Sequence, residues 1–143
     1  MSRIRSKDTT PELRIRRGLH KLGLRYRLNV KGLPGRPDIV FRPRKVAVFV
    51  HGCFWHGHQE CQYFTLPKSR TEFWRKKIEG TKKRDLSAIQ ALVSGGWRVL
   101  VVWECALRNR DIADRCISQA YQYILNGNQQ LLELSKDNLE VAE

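Results

Sequence analysis

The 143-residue chain has no apolar run near the ~18 residues that a membrane-spanning helix needs, which excludes a helical integral membrane protein. Its basic opening, Met1-Ser2-Arg3-Ile4-Arg5-Ser6-Lys7, is not followed by an apolar stretch. A secretory signal is therefore not expected, and the expected compartment is the reducing cytosol. Cysteine is sparse, at four residues, and under reducing conditions thiols or metal ligands are expected rather than disulfides. Internal repeats and a Pro/Gly/Ser-rich linker are missing, so the length suits one domain with a real core. What the chain does have is 41% apolar residues, enough to exclude wholesale disorder.

Acids are scarce, 14 against 27 Lys and Arg, for a formal net charge of +13. They are also unevenly placed. Residues 127–143 hold Glu133, Asp137, Glu140 and Glu143 against Lys136, a net of −3, so residues 1–126 carry +16. A folded domain that basic repels itself, and an anionic polymer is the usual relief. The alternative is a basic surface that serves only solubility. The division suggests a domain over 1–126 and an acidic, frayed tail over 127–143.

The periodicities give alternating elements. Thr9-Thr10-Pro11-Glu12 is a helix start, with a hydroxyl cap, a proline in the first turn and an acid at the positive end of the dipole. Ile15, Leu19 and Leu22 follow at helical spacing, and Gly23 stops the helix. Residues 24–29 alternate as a half-buried strand does. Residues 38–41 and 45–50 read as a strand pair turning around Arg42-Pro43-Arg44, the second apolar enough to be central. A helix is expected over 71–94, with Trp74, Ile78, Ile89 and Leu92 in phase. A buried strand follows over 97–103, then a last helix over 111–125. The order αβββαβα implies an α/β domain, a mixed sheet between helices.

Residues 51–70 show no periodicity, and a loop that long needs an organising agent. Three of the four histidines and two of the cysteines fall in His51-Gly52-Cys53-Phe54-Trp55-His56-Gly57-His58-Gln59-Glu60-Cys61. Cys53, His58 and Cys61 offer three ligands of the kind zinc takes, and tetrahedral zinc needs four. Cys105, just after the buried strand, is the best fourth. The competing reading is a pair of reduced buried thiols beside an exposed histidine. Cys116, inside the last helix, is expected in the core.

His51 and His56 are then free for other work. His51 follows the central strand at its C-terminal end, the edge where sites gather in α/β sheets. Asp38 opens the neighbouring strand. A carboxylate beside an imidazole there can hold a divalent metal and manage protons. Taken alone, a residue in that position more often satisfies N–H groups at the strand start. Phe54-Trp55 sits off any periodic face, and Phe73-Trp74 opens a basic helix. Such aromatics either wedge between base pairs or cover the underside of the loop, and for Phe73 covering is favoured.

Pro37-Asp38, His51-Gly52-Cys53-Phe54-Trp55-His56, Thr71-Glu72-Phe73-Trp74 and the run from Gly96 through Trp103-Glu104-Cys105 together resemble the very-short-patch repair (Vsr) DNA mismatch endonucleases. The matching blocks extend over residues 2–110. The resemblance implies a restriction-endonuclease-like core with a zinc-stabilised loop. It implies Asp38 as a direct Mg²⁺ ligand, the Val50 main-chain carbonyl as the next, and Glu12 reaching the metal through water. His51 and His56 would bind waters or shuttle protons at the scissile phosphate. Cys53, His58, Cys61 and Cys105 would hold structural Zn²⁺, and Phe54, Trp55 and Trp74 would wedge into the duplex. The implied substrate is double-stranded DNA bearing a T:G mismatch left by deamination of 5-methylcytosine, nicked 5′ of the thymine. A monomer in the bacterial cytosol and nucleoid is implied, with other mismatch-repair proteins as candidate partners. Two readings compete: a site-specific nuclease cutting intact duplex, and a zinc-ordered DNA-binding module without catalysis.

Overall fold

The structure is a computed structural model and describes residues 9–139. The basic opening, residues 1–7, and the tail acids Glu140 and Glu143 lie outside the described residues. No helix among the described residues is long and apolar enough to cross a membrane.

Helix α1 spans Thr10–Lys21, capped by Thr9, whose hydroxyl accepts from the Glu12 N–H. Ile15 and Leu19 are fully buried, but Leu22 is 46% exposed. The chain leaves the helix at Gly23, whose φ of +97° suits glycine. Gly23 N–H donates to His20 O (2.9 Å) and Leu24 N–H to Leu19 O (3.1 Å), the double bond of a Schellman ending. Leu24, folded back by that turn, replaces Leu22 in the core. The strand expected over 24–29 shrinks to β1, Arg27–Leu28, exposed at both residues. As an edge strand it has a partner on one side only.

Strands β2 (Ile39–Phe41) and β3 (Val46–His51) pair antiparallel around the turn at 42–44. Helix α2, Thr71–Ser94, leads to β4, Arg98–Trp103, which lies parallel to β3. Helix α3 then covers Arg110–Asn126. The sheet order is β1-β2-β3-β4-β5, where β5 is Leu131–Leu134, parallel to β4. A mixed five-stranded sheet flanked by helices is the α/β arrangement expected, with one strand more.

That strand comes from the segment read as a frayed tail. Its acids mask two buried leucines, Leu134 and Leu139, the second at the end of the one-turn helix α4, Lys136–Leu139. Leu132 packs on the same cluster. Four acids gave the segment its polar look, while every second residue of the strand faces the core.

The alternation of β3 and β4 divides the interior. Val46, Val48, Leu100 and Val102 face α1 and α3, where Ile15, Leu19, Cys116 and Ile124 complete the larger core. Ala47, Phe49, Val99, Val101 and Trp103 face α2 and the irregular loop, with Cys53 and Cys105 among them. Loop and helix meet closely at Gly57 (φ +60°), where a Cβ would lie 2.6 Å from Ile78 Cγ2. Cys116 is buried, as expected.

A chain ending at residue 126 should therefore lose two buried leucines and the hydrogen bonds that β5 makes along one edge of β4. At about 1.5–3 kcal/mol for each buried leucine, roughly 3–6 kcal/mol of stability should go. Urea melts of the full and shortened chains measure this, and equal midpoints would return the segment to a dispensable tail.

Candidate active site and metal centre

The parallel register of β3 and β4 sets His51 beside Trp103 and Val50 beside Val102. Asp38 stands one residue before β2, opposite the same end of β3. Its N–H donates to Val48 O (2.9 Å), and Val50 N–H donates to Asp38 Oδ2 (2.7 Å). The carboxylate therefore does what the strand-start reading required, through one oxygen, and lines a pocket of about 400 Å³ with the rest. Glu12, from the first turn of α1 and 5% exposed, lines that pocket, as do Val50, His51 and His56. Burial is the main cause that pushes the Asp38 carboxyl up to about 7, with Glu12 adding repulsion. The Val50 N–H, His56 and Arg16 oppose the rise without cancelling it. Two carboxyls turned to one pocket, one of them short of counter-charge, fit a divalent cation with oxygen preference.

His51 and His56 stack face to face, ring centroids 3.9 Å apart and planes 3° from parallel. His56 Nδ1 lies 2.6 Å from Asp85 Oδ2, on α2. His51 Nε2 is 3.9 Å from Asp85 Oδ1, beyond hydrogen-bond reach. His51 Nδ1 is buried and has no hydrogen-bond partner among the described residues. Burial, helped by His56 and His58 and opposed by Asp85, pushes the His51 imidazole down to about 3, so it is neutral at physiological pH. The two imidazoles thus differ in chemistry. His56 is oriented by a carboxylate with Nε2 left for the cleft; His51 is a buried neutral ring behind it.

The ligand atoms of Cys53, His58, Cys61 and Cys105 lie within 4.8 Å of one another. A tetrahedron with Zn–S bonds of 2.3 Å has S···S edges of about 3.8 Å, so the set fits zinc in both donor type and spread. Cys105 Sγ is 3.7 Å from His58 Nδ1 and accepts the Lys136 N–H (3.4 Å). A hydrogen bond from Cys53 is the main cause that pulls the Cys105 thiol down to about 6, with the Lys136 amide and His58 aiding and burial opposing. Cys53 is pushed up in turn, first by that same hydrogen bond and then by burial.

Phe54, Trp55 and Trp74 pack on one another with centroids 5.2–5.7 Å apart, all three half-buried. Phe54 and Trp55 line a second cleft of about 720 Å³ with Tyr63, Glu104 and Arg108. Glu12, Val50 and His56 line this cleft as well as the Asp38 pocket, so the aromatic wall and the acidic pocket open onto each other. Phe73 does not cover the loop. It is 45% exposed, with the Arg70 guanidinium 4.2 Å over its ring.

The candidate site residues gather at one end of the sheet, on its α2 side or at its rim, whereas Cys116 lies in the core on the α1 and α3 side. Asp85 escaped the sequence reading. It sits in Lys82-Lys83-Arg84-Asp85, where one acid among three bases looks like surface, and only the docking of α2 on the sheet brings it to His56.

Carboxyls and imidazoles gathered at strand ends in a strongly basic α/β domain are the makings of a nuclease. The family model of the DNA mismatch endonuclease Vsr matches residues 1–62. The chain is 53% identical to the type II nicking enzyme V.XorIIP of Xanthomonas oryzae, over 75% of this chain and 78% of that one. It is 46% identical to the type II nicking enzyme V.NmeAIP of Neisseria meningitidis, over 78% and 79% respectively. It is 44% identical to the DNA mismatch endonuclease Vsr of Escherichia coli, over 83% and 76%. The chain belongs to the Vsr family of DNA mismatch endonucleases, and its sheet is the core of a restriction-endonuclease-like fold.

The raised Asp38 carboxyl has a consequence for stability. Between its ordinary 3.8 and about 7, the unfolded chain releases this proton while the folded chain keeps it, so folding weakens as pH rises through that window. In magnesium-free buffer, Asp38→Asn should gain on the wild type by on the order of 2–4 kcal/mol between pH 4 and pH 8. Denaturant melts at the two pH values test it, and a difference independent of pH would contradict it.

Proposed function

We propose that the protein is a Mg²⁺-dependent, Zn²⁺-stabilised endonuclease. It nicks duplex DNA 5′ of the thymine in T:G mispairs that arise from deamination of 5-methylcytosine, and so begins very-short-patch repair. The observation that carries this reading is the shared lining of two clefts by Glu12, Val50 and His56, which joins an acid–imidazole pocket to an aromatic wall. The E. coli relative is named a mismatch endonuclease, and the Xanthomonas and Neisseria relatives are named nicking enzymes.

Asp38, the Val50 carbonyl and, through water, Glu12 would hold Mg²⁺. When bound, the ion neutralises charge on the phosphate and makes a bound water more acidic. Asp85 fixes the His56 tautomer through Nδ1, leaving Nε2 to take a proton from the attacking water. His51, neutral and stacked behind, keeps the His56 ring in plane and excludes solvent from one side. Cys53, His58, Cys61 and Cys105 would hold Zn²⁺, which supplies a fixed anchor for the loop. The basic surface neutralises phosphates, and Phe54, Trp55 and Trp74 enter the stack at the mispair, where unstacking costs least.

Matched sets of T:G and T:A duplexes, with and without Mg²⁺, test the reading. The wild type should nick only the T:G strand, 5′ of the thymine, and only with the metal, whereas Asp38→Ala should bind but not nick. Equal nicking of both duplexes would favour a site-specific nuclease of intact DNA. Binding without nicking would favour a DNA-binding module.

The wedge makes a separate prediction. Trp55→Ala should cost about tenfold or more in affinity for T:G duplex, since base–aromatic stacking is worth roughly 1–3 kcal/mol, and much less for T:A. Equal losses on the two would make Trp55 part of the loop packing only.

A further inference from the structure

Trp103 is the last residue of β4, 9% exposed, and none of the roles above uses it. Its surroundings are specific. One ring contact is with His58, stacked at 4.0 Å between centroids and 6° between planes. Another is with His51, edge-on at 5.2 Å and 76°, and His56 lies beyond at 6.4 Å and 78°. The indole N–H donates to Glu133 Oε1 at 2.8 Å. Glu133 belongs to β5, the strand supplied by the C-terminal segment.

We infer that Trp103 is a positioning residue that couples the Cys/His metal centre to the imidazole pair, and that Glu133 of β5 fixes the indole angle at which the coupling works. The inference rests on the endonuclease reading above. An imidazole in a metal centre has its plane fixed by ligation and by what its other faces touch. His58 stacks on the indole, so the metal centre and the indole define each other's plane. The His51 ring meets the same indole edge-on, and His56 is stacked on His51. His51 Nδ1 lacks a hydrogen-bond partner among the described residues, and its Nε2 is too far from Asp85 to bond, so ring packing is left to hold this imidazole. An indole can rotate about χ1 and χ2 unless its N–H is tied. A charge-assisted bond to a carboxylate on the next strand ties it. β5 therefore contributes to chemistry as well as to the sheet edge, through the Glu133 carboxylate.

The test uses the full-length, zinc-loaded protein with Glu133→Ala, Glu133→Gln and Trp103→Phe. Glu133→Gln keeps an acceptor for the indole N–H, Glu133→Ala removes it, and Trp103→Phe keeps a ring without a donor. Four quantities are read: zinc per chain, affinity for T:G duplex, single-turnover nicking rate, and the ring resonances of His51, His56 and His58. Glu133→Ala and Trp103→Phe should keep zinc and bind DNA within about twofold of wild type. Their nicking rate should fall about five- to tenfold, the scale of one lost hydrogen bond, and the resonances of His51 and His56 should move. Glu133→Gln should restore rate and resonances together. Unmoved His51 and His56 resonances in Glu133→Ala would overturn the coupling, as would a rate loss that tracks zinc loss or weakened binding. A wild type that nicks neither duplex would sink the endonuclease reading alone, since the resonances still report whether Glu133 and Trp103 set the imidazoles.

Discussion

Nineteen residues without regular structure, from Gly52 to Arg70, carry half of the proposed site residues, and ordering them costs entropy that no helix or sheet ladder repays. The convergence of Cys53, His58, Cys61 and Cys105 answers that cost. Cys53 and Cys105 follow closely on the ends of the paired strands β3 and β4, so a metal held there ties the loop to the most rigid part of the fold. His56 lies between two of these ligands in sequence and is placed over His51 as a result. Phe54 and Trp55, adjoining Cys53, gain a fixed base from which a wedge can act. Metal binding of this kind is folding free energy, and at these four residues it would be delivered to the end of the sheet that carries the proposed site.

Electrostatics work against stability at the same place. The domain is strongly basic, yet the pocket beside Val50 gathers Asp38 and Glu12, both largely out of solvent. Asp38 keeps its proton up to about 7 because burial outweighs the Val50 N–H and the Arg16 guanidinium. The bases would draw a phosphate backbone to the surface and the acids would draw a cation to the pocket, so the proposed function brings the two together at one place. Groups held in unfavourable charge states at a cleft are a usual sign of a site rather than of a core.

The sequence made the α/β alternation, both long helices, the central β3 and the core cysteine legible, because each has a periodicity or cap of its own. It also marked the four metal-ligand candidates, since Cys and His are rare here and cluster. Leu22 and Leu24 exchanged places because the Schellman turn depends on Gly23 geometry, not on spacing. β5 stayed hidden because its three leucines and Glu133 make only a four-residue run inside an acidic segment, and its pairing is parallel and long-range. Asp85 stayed hidden for a related reason. Nothing within α2 distinguishes it from the bases beside it, and its partner is 29 residues away. Trp103 looked like one more apolar residue of a buried strand. Its rings of contact belong to three different segments, and no local pattern encodes them.

Zinc K-edge absorption on the purified full-length protein tests the central claim most directly. The account predicts about one zinc per chain, with three sulfurs near 2.3 Å and one nitrogen near 2.0–2.1 Å. A folded protein without zinc, or a metal shell of oxygen and nitrogen alone, would contradict it.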